Sequence, residues 1–209
     1  MICNCLKYDF KNQNYEYWES RKTTIDEVEI IKFLKKKFNP IKKNILHIGI
    51  GNSEFAKNFN KNNKITGITV SNNELYFAKS LKLQNYESYY CDKYTKDLSK
   101  ITKSKKFDYI IDANLKSYSC YQKSFDYMIK TLIASLNVNG YIFTSRKGMK
   151  WYKKLYPKLT FSFKKFFYYK LKEDEGDRKN ILSIKELHKI KKQYNLKISF
   201  NNKICYLKK

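Results

Sequence analysis

The chain has 209 residues, 42% of them hydrophobic, which suits one domain with a sizeable core and excludes wholesale disorder. No run approaches the roughly 18 consecutive apolar residues of a membrane span, and "MICNCLKYDF" lacks the apolar core of a signal peptide, so a cytoplasmic location is expected. A net charge of +25 would suit a polyanionic partner, yet among 44 basic residues only Arg21, Arg146 and Arg178 offer the bidentate fork that phosphate recognition favours, and residues with A/T-rich codons crowd the whole sequence.

In chain order, "TTIDEVEIIKFLKKKF" (23–38) reads as an amphipathic helix, acidic at its start, lysine-rich at its end and broken by Pro40. Strand-like runs follow at 44–50, 64–70, 86–91, 107–112 and 140–145, separated by helix-like runs at about 53–62, 72–83, 94–103 and 119–136. This alternation predicts βαβ units and a parallel sheet covered on both faces. A helix over 182–194, with Ser183 and Glu186 spaced as a capping box, precedes two short strands at 196–200 and 203–207 that read as an antiparallel hairpin. The segment 149–180 fits neither pattern and reads as an insertion. The expected organisation is therefore a single domain: an N-terminal helical segment (1–43), a cofactor-binding core (44–148), an insertion or lid (149–180), and a closing helix and hairpin (181–209).

The six glycines fall mainly where such a fold needs them. Gly49 and Gly51 end the first strand, where the backbone must turn tightly and admit a ligand. Gly67 inside the second strand suggests close packing against the backbone. The turn "GIGNSEF" lacks the GxxxxGK[ST] of a phosphate loop. As a dinucleotide turn it would place Glu54, bulky and anionic, where a pyrophosphate wants the positive end of a helix. S-adenosylmethionine carries no phosphate and a positive sulfonium, so neither objection touches it. The five scattered cysteines fit no common zinc spacing, and no metal is expected.

The series "ILHIGIGNSEFA", "ITGITVSNNELYFAKSL", "YYCDKY", "KFDYIID" and "NVNGYIFTSRKGM" resembles the motifs of class I S-adenosylmethionine-dependent methyltransferases over residues 44–148. The resemblance implies a Rossmann-like, seven-stranded, mostly parallel sheet of order 3-2-1-4-5-7-6, with helices on both faces and a closing antiparallel hairpin. It also implies methyl transfer by direct displacement at the sulfonium, with S-adenosylmethionine as cofactor. Two departures stand out: His47 replaces the usual acid of the first motif, and Thr69 replaces the acid that commonly ends the second strand. "GITVSNNE" is instead similar to the GxTxSxxQ segment of the cyclopropane-fatty-acid synthase group, which implies nucleoside-binding roles for Thr69 and Glu74, with Ser71 of the same segment as a further cofactor-binding candidate. That group's signature after the fourth strand is missing here.

The resemblance further implies cofactor contacts from Gly49, Gly51, Asn52 and Ser53 in the turn, and from Asp92 after the third strand. His47 either bonds the cofactor's methionine end, as a neutral imidazole, or caps a strand end. Asp112 and Asn114 leave the fourth strand at the edge where open α/β sheets bind ligands. Asp112 is expected as a cofactor contact or base and Asn114 as a group that orients the nucleophile. The insertion interleaves nine aromatics with six lysines over 151–170, a pattern that fits a strand or lid covering the sheet edge, or else a surface that stacks bases, lines an aromatic substrate pocket or sits on an anionic membrane. Trp151, Tyr152 and Tyr156, with Tyr15 and Trp18 of "YEYW", are substrate-side candidates. The reading is a methyltransferase acting on a small-molecule acceptor; RNA or protein methylation, or cofactor binding without catalysis, are the alternatives.

Overall fold

The computed structural model describes residues 15–117, 119, 121–145, 182–201 and 203–209. The insertion 149–180, and with it Trp151, Tyr152 and Tyr156, lies outside these described residues.

Seven strands form one sheet: β1 (Asn44–Ile48), β2 (Lys64–Thr69), β3 (Tyr86–Tyr90), β4 (Phe107–Asp112), β5 (Leu136–Ser145), β6 (Lys197–Phe200) and β7 (Ile204–Lys208). Their order is β3-β2-β1-β4-β5-β7-β6. The first five pair in parallel, and β7 runs antiparallel to both β5 and β6. This is the order that the motif series implies. The helices are α1 (Tyr15–Ser20), α2 (Ile25–Lys37), α3 (Glu54–Phe59), α4 (Asn72–Ser80), α5 (Lys96–Thr102), α6 (Gln122–Ser135) and α7 (Ile184–Tyr194).

Alternation along the strands builds two cores. Leu46 and Ile48 of β1 face one side, where α5, α6 and α7 bury Leu98, Phe125, Met128, Leu132 and Ile190. Ile45 faces the other, with Ile30, Ile31 and Leu34 of α2 and Phe55 and Phe59 of α3. On α6 the buried residues Phe125, Met128, Ile129, Leu132 and Ile133 recur at helical spacing, which is why that segment is a helix and which face it turns inward. Each such side chain contributes roughly 1.5–3 kcal/mol when fully buried. Helix ends follow local chemistry as well. The Thr24 side chain accepts from Glu27 N at the start of α2, and Ser183 and Glu186 form a reciprocal capping box on α7.

The boundary that departs furthest from the sequence reading is the start of β5. β5 starts at Leu136, directly after α6, rather than at Gly140. Asn139 takes a left-handed conformation (φ 64°) and the register with β4 shifts between Phe107 and Tyr109, so "NVNG" is an irregular strand entry that looks like a turn in sequence.

Candidate functional site

The strand order reverses between β1 and β4, so the crossovers leave in opposite directions and open a crevice at the C-terminal ends of β1, β2 and β4. The glycine turn lies there. Gly49 and Gly51 have φ of 76° and 51°, values that a side chain would strain, and nothing lies within 4 Å of the position a Gly49 Cβ would take. Gly67 packs as its place in a strand suggested. A Cβ there would meet Ile50 and the Tyr86 ring at 2.8 Å, and the space lets Tyr86 Oη reach Ser53 Oγ at 3.1 Å.

Glu74 is the hub of the turn's open side. Its Oε2 accepts from Thr69 Oγ1 at 2.5 Å and from Gly51 N at 3.2 Å, while Oε1 lies 3.5 Å from Arg21 Nη1. Ser71 caps α4 by accepting from Glu74 N, so the segment that ends β2 fixes this carboxylate from both sides. Burial pushes the Glu74 pKa up, against the pull of Thr69, Arg21 and Gly51 N. Asn52 works as a staple. Its Nδ2 donates to Arg21 O (2.6 Å) and Thr23 Oγ1 (3.1 Å), and its Oδ1 accepts from Glu54 N, tying the segment after α1 to the turn.

Behind the turn, His47 is 2% exposed, with its ring 4.7 Å from that of Phe55 and its Nδ1 without a hydrogen-bond partner among the described residues. Its Nε2 lies 3.9 Å from Oε1 of Glu27, a buried α2 acid whose same oxygen accepts from Phe55 N at 3.2 Å. Burial moves both groups toward neutrality: the His47 pKa falls to about 3 and that of Glu27 rises to about 8.

Across the crevice, both oxygens of Asp112 are engaged, Oδ1 by Asn114 N at 3.0 Å and Oδ2 by Lys93 Nζ at 2.7 Å. The Lys93 ammonium, 8% exposed, also lies 3.0–3.2 Å from Asn114 O, Ser117 Oγ and Leu115 O. Lysine and aspartate thus lock the loop after β3 onto the loop after β4, and Tyr94 Oη donating to Ser117 O adds a second tie. Burial raises the Asp112 pKa, with Lys93 opposing it. Asp92 is half-buried and uses Oδ1 to accept from Tyr94 N. Lys116 pairs with Glu186 of α7, and Ser145 Oγ donates to Asp26 Oδ1 at 2.6 Å, closing the rim near the end of β5.

The structure therefore gathers Gly49, Gly51, Asn52, Ser53, Thr69, Ser71 and Glu74 around the turn, buries His47 behind it, and places Asp92, Asp112 and Asn114 at the ends of β3 and β4. Tyr15 and Trp18 belong to α1, which lies against α4. Sequence reasoning passed over Arg21, Glu27, Tyr86 and Lys93. For Glu27 a signal existed: it heads the stripe Glu27, Ile30, Ile31, Leu34, a carboxylate at helical spacing with three core residues.

These groups suit a cationic nucleoside with vicinal hydroxyls. Glu74 can accept both ribose hydroxyls, whereas a pyrophosphate would meet two buried acids beside Gly51. No protein-family model and no curated protein sequence matches the chain. Solved structures do. The N-methyltransferase NodS from Bradyrhizobium japonicum WM9, in complex with S-adenosyl-L-homocysteine, superposes with a TM-score of 0.60 at 13% identity, covering 93% of this chain and 97% of that one. The plantazolicin methyltransferase BamL, in complex with a triazolic desmethylPZN analog and S-adenosylhomocysteine, gives 0.60 at 16% identity, covering 93% and 88%. The [4+2]-cyclase SpnF gives 0.51 at 14% identity, covering 84% and 58%. At such identities the likeness shows the fold, which is that of class I S-adenosylmethionine-dependent methyltransferases.

Proposed function

We propose that this chain is an S-adenosylmethionine-dependent methyltransferase acting on a small-molecule acceptor. The observation that carries the reading is the Glu74 hub: a buried carboxylate, fixed by Thr69 and Gly51 N, at the open side of a glycine turn hostile to pyrophosphate. The cofactor supplies an activated methyl group, so no catalytic triad is required of the protein. Glu74 would accept the ribose hydroxyls, with Thr69 and Ser71 holding it. Gly49 and Gly51 would let the backbone approach the ligand, and Asp92 would face the adenine amino group. Those roles for Thr69 and Glu74 match the nucleoside-binding segment of the cyclopropane-fatty-acid synthase group, and only that segment; lipid cyclopropanation is not carried over. Asp112, held by Lys93 and Asn114 N, would position the loop after β4 rather than abstract a proton, and the half-buried Asn114 is the better group to orient an acceptor. Alignment of nucleophile, methyl carbon and sulfur would then be the main contribution of the protein.

A small-molecule acceptor is favoured by the likeness to BamL, whose structure holds a triazolic desmethylPZN analog together with S-adenosylhomocysteine and 88% of whose chain is covered here. SpnF shares the fold and carries out a cyclisation, so cofactor binding and methyl transfer need separate measurements. Incubation with methyl-labelled S-adenosylmethionine and fractionated cell extract tests the reading. Label entering the low-mass fraction, with matching S-adenosylhomocysteine formation, is expected. Label entering RNA or protein would replace the acceptor class, and bound cofactor with no turnover in any fraction would refute the transferase.

A further inference from the structure

Two buried acids and one guanidinium meet at Gly51. A side chain grown there would come 3.8 Å from Arg21 Nη1 and 3.9 Å from Glu27 Oε2, so a guanidinium and an acid face the same side of this residue. Glu74 approaches from the backbone side through Gly51 N, and Arg21 is the cation that acts on both acids. Arg21 lies 3.5 Å from Glu74 Oε1 and pairs with that acid, so Glu27 is the acid that a ligand's cation can ionise and pair with. An α-amino acid group, with carboxylate for Arg21 and ammonium for the remaining acid, has that pattern.

We propose that Glu27, carried by α2, is the carboxylate that receives the cofactor's α-ammonium, standing in for the acid that the first motif lacks at position 47. The inference rests on the cofactor reading above. Glu27 is well placed for this: Phe55 N anchors Oε1 at 3.2 Å, leaving Oε2 toward Gly51. It also explains His47. A second carboxylate at 47 would sit against Glu27 in a dry core, where like charges repel strongly, whereas a neutral imidazole at 3.9 Å fills the space without charge. The titratable groups acting on Glu27 are Arg21 before α2, His47 on β1, Glu54 on α3, Glu74 on α4 and Tyr86 on β3. With no ammonium in place, burial keeps Glu27 protonated up to about pH 8. Docking of the ammonium favours the carboxylate, and its proton leaves to solvent.

Glu27→Gln keeps an oxygen for Phe55 N and removes the charge. The probes are S-adenosylhomocysteine, which has the amino acid end, and 5′-methylthioadenosine, which lacks it. Calorimetry should show the variant binding the first about 10- to 100-fold more weakly, the scale of a lost charge-assisted bond, and the second unchanged. Wild-type protein at pH 7, titrated in two buffers of different ionisation enthalpy, should release close to one proton with S-adenosylhomocysteine and none with 5′-methylthioadenosine. This second measurement needs no variant and stands even if Glu27→Gln does not fold. Glu27→Gln combined with His47→Glu should regain part of the lost affinity. Equal losses for the two probes, no loss for either, or no proton release in wild type would overturn the assignment while leaving the cofactor reading intact. Wild-type protein that binds neither probe would overturn both.

Discussion

Glu27→Gln should make the cofactor-free protein more stable, and increasingly so as pH rises. The folded pKa of Glu27 is about 8 against 4.5 for the free side chain. An acid raised in this way costs nothing below pH 4.5, where both states are protonated. Above that, the unfolded chain ionises and the folded one does not until pH passes about 8, so the penalty grows across the window and then levels off. At about 1.4 kcal/mol per pH unit, the cost is under about 1 kcal/mol at pH 5, near 3 kcal/mol at pH 7 and around 4–5 kcal/mol above pH 8. Glutamine carries none of it and still accepts from Phe55 N. For a chain of this size, about 3 kcal/mol corresponds to a Tm roughly 6–12 °C higher at pH 7. Thermal or urea unfolding of both proteins at pH 5, 7 and 8, without cofactor, measures it. A difference that is flat with pH, or a variant less stable throughout, would refute the account of an acid held neutral in a dry site until a ligand arrives. An acid kept at such cost in stability, and used for binding, is an ordinary stability–function trade-off.

Three other substitutions probe separate parts of the crevice. Glu74→Gln should weaken S-adenosylhomocysteine and 5′-methylthioadenosine alike, by about tenfold or more, because both carry the ribose that Glu74 would hold; calorimetry with both ligands separates it from Glu27→Gln. Lys93→Met should destabilise the protein by about 3–5 kcal/mol by leaving Asp112 buried and unpaired, and adding Asp112→Asn should recover much of that in urea unfolding. Gly67→Ala should cost about 1–3 kcal/mol through the 2.8 Å clashes with Ile50 and Tyr86, and Tyr86→Phe, which removes the Oη clash but leaves those with the ring carbon and Ile50, should relieve only part of it.

Much of the fold is legible because its signals are local. Apolar runs ending in glycine or a capping residue mark β1, β2 and β4, and Ser183 with Glu186 announces α7 before any contact is known. The start of β5 is not legible, since Val138 and its asparagine neighbours have no apolar alternation and their pairing depends on an irregular register with β4. Within the site, Thr69, Ser71 and Glu74 lie five residues apart and could be read together. Glu27 and Gly51 are 24 positions apart and meet only because α2 packs against α3 and β5. A glutamate heading an apolar helical stripe was the available clue. Lys93 carried none, being one lysine among many, and its buried role emerges only when the loops after β3 and β4 close on each other.

The central claim is that this glycine turn holds a cationic nucleoside. Equilibrium titration with S-adenosylmethionine, NAD and ATP, on wild-type protein and on Gly49→Val, tests it most directly. Gly49 sits at φ 76°, so valine there must distort the turn. The account predicts S-adenosylmethionine binding tighter than about 1 mM, displaced by S-adenosylhomocysteine and lost in the variant, with no comparable affinity for the two phosphate-bearing ligands. NAD or ATP binding more tightly than S-adenosylmethionine, or equal binding by Gly49→Val, would contradict it.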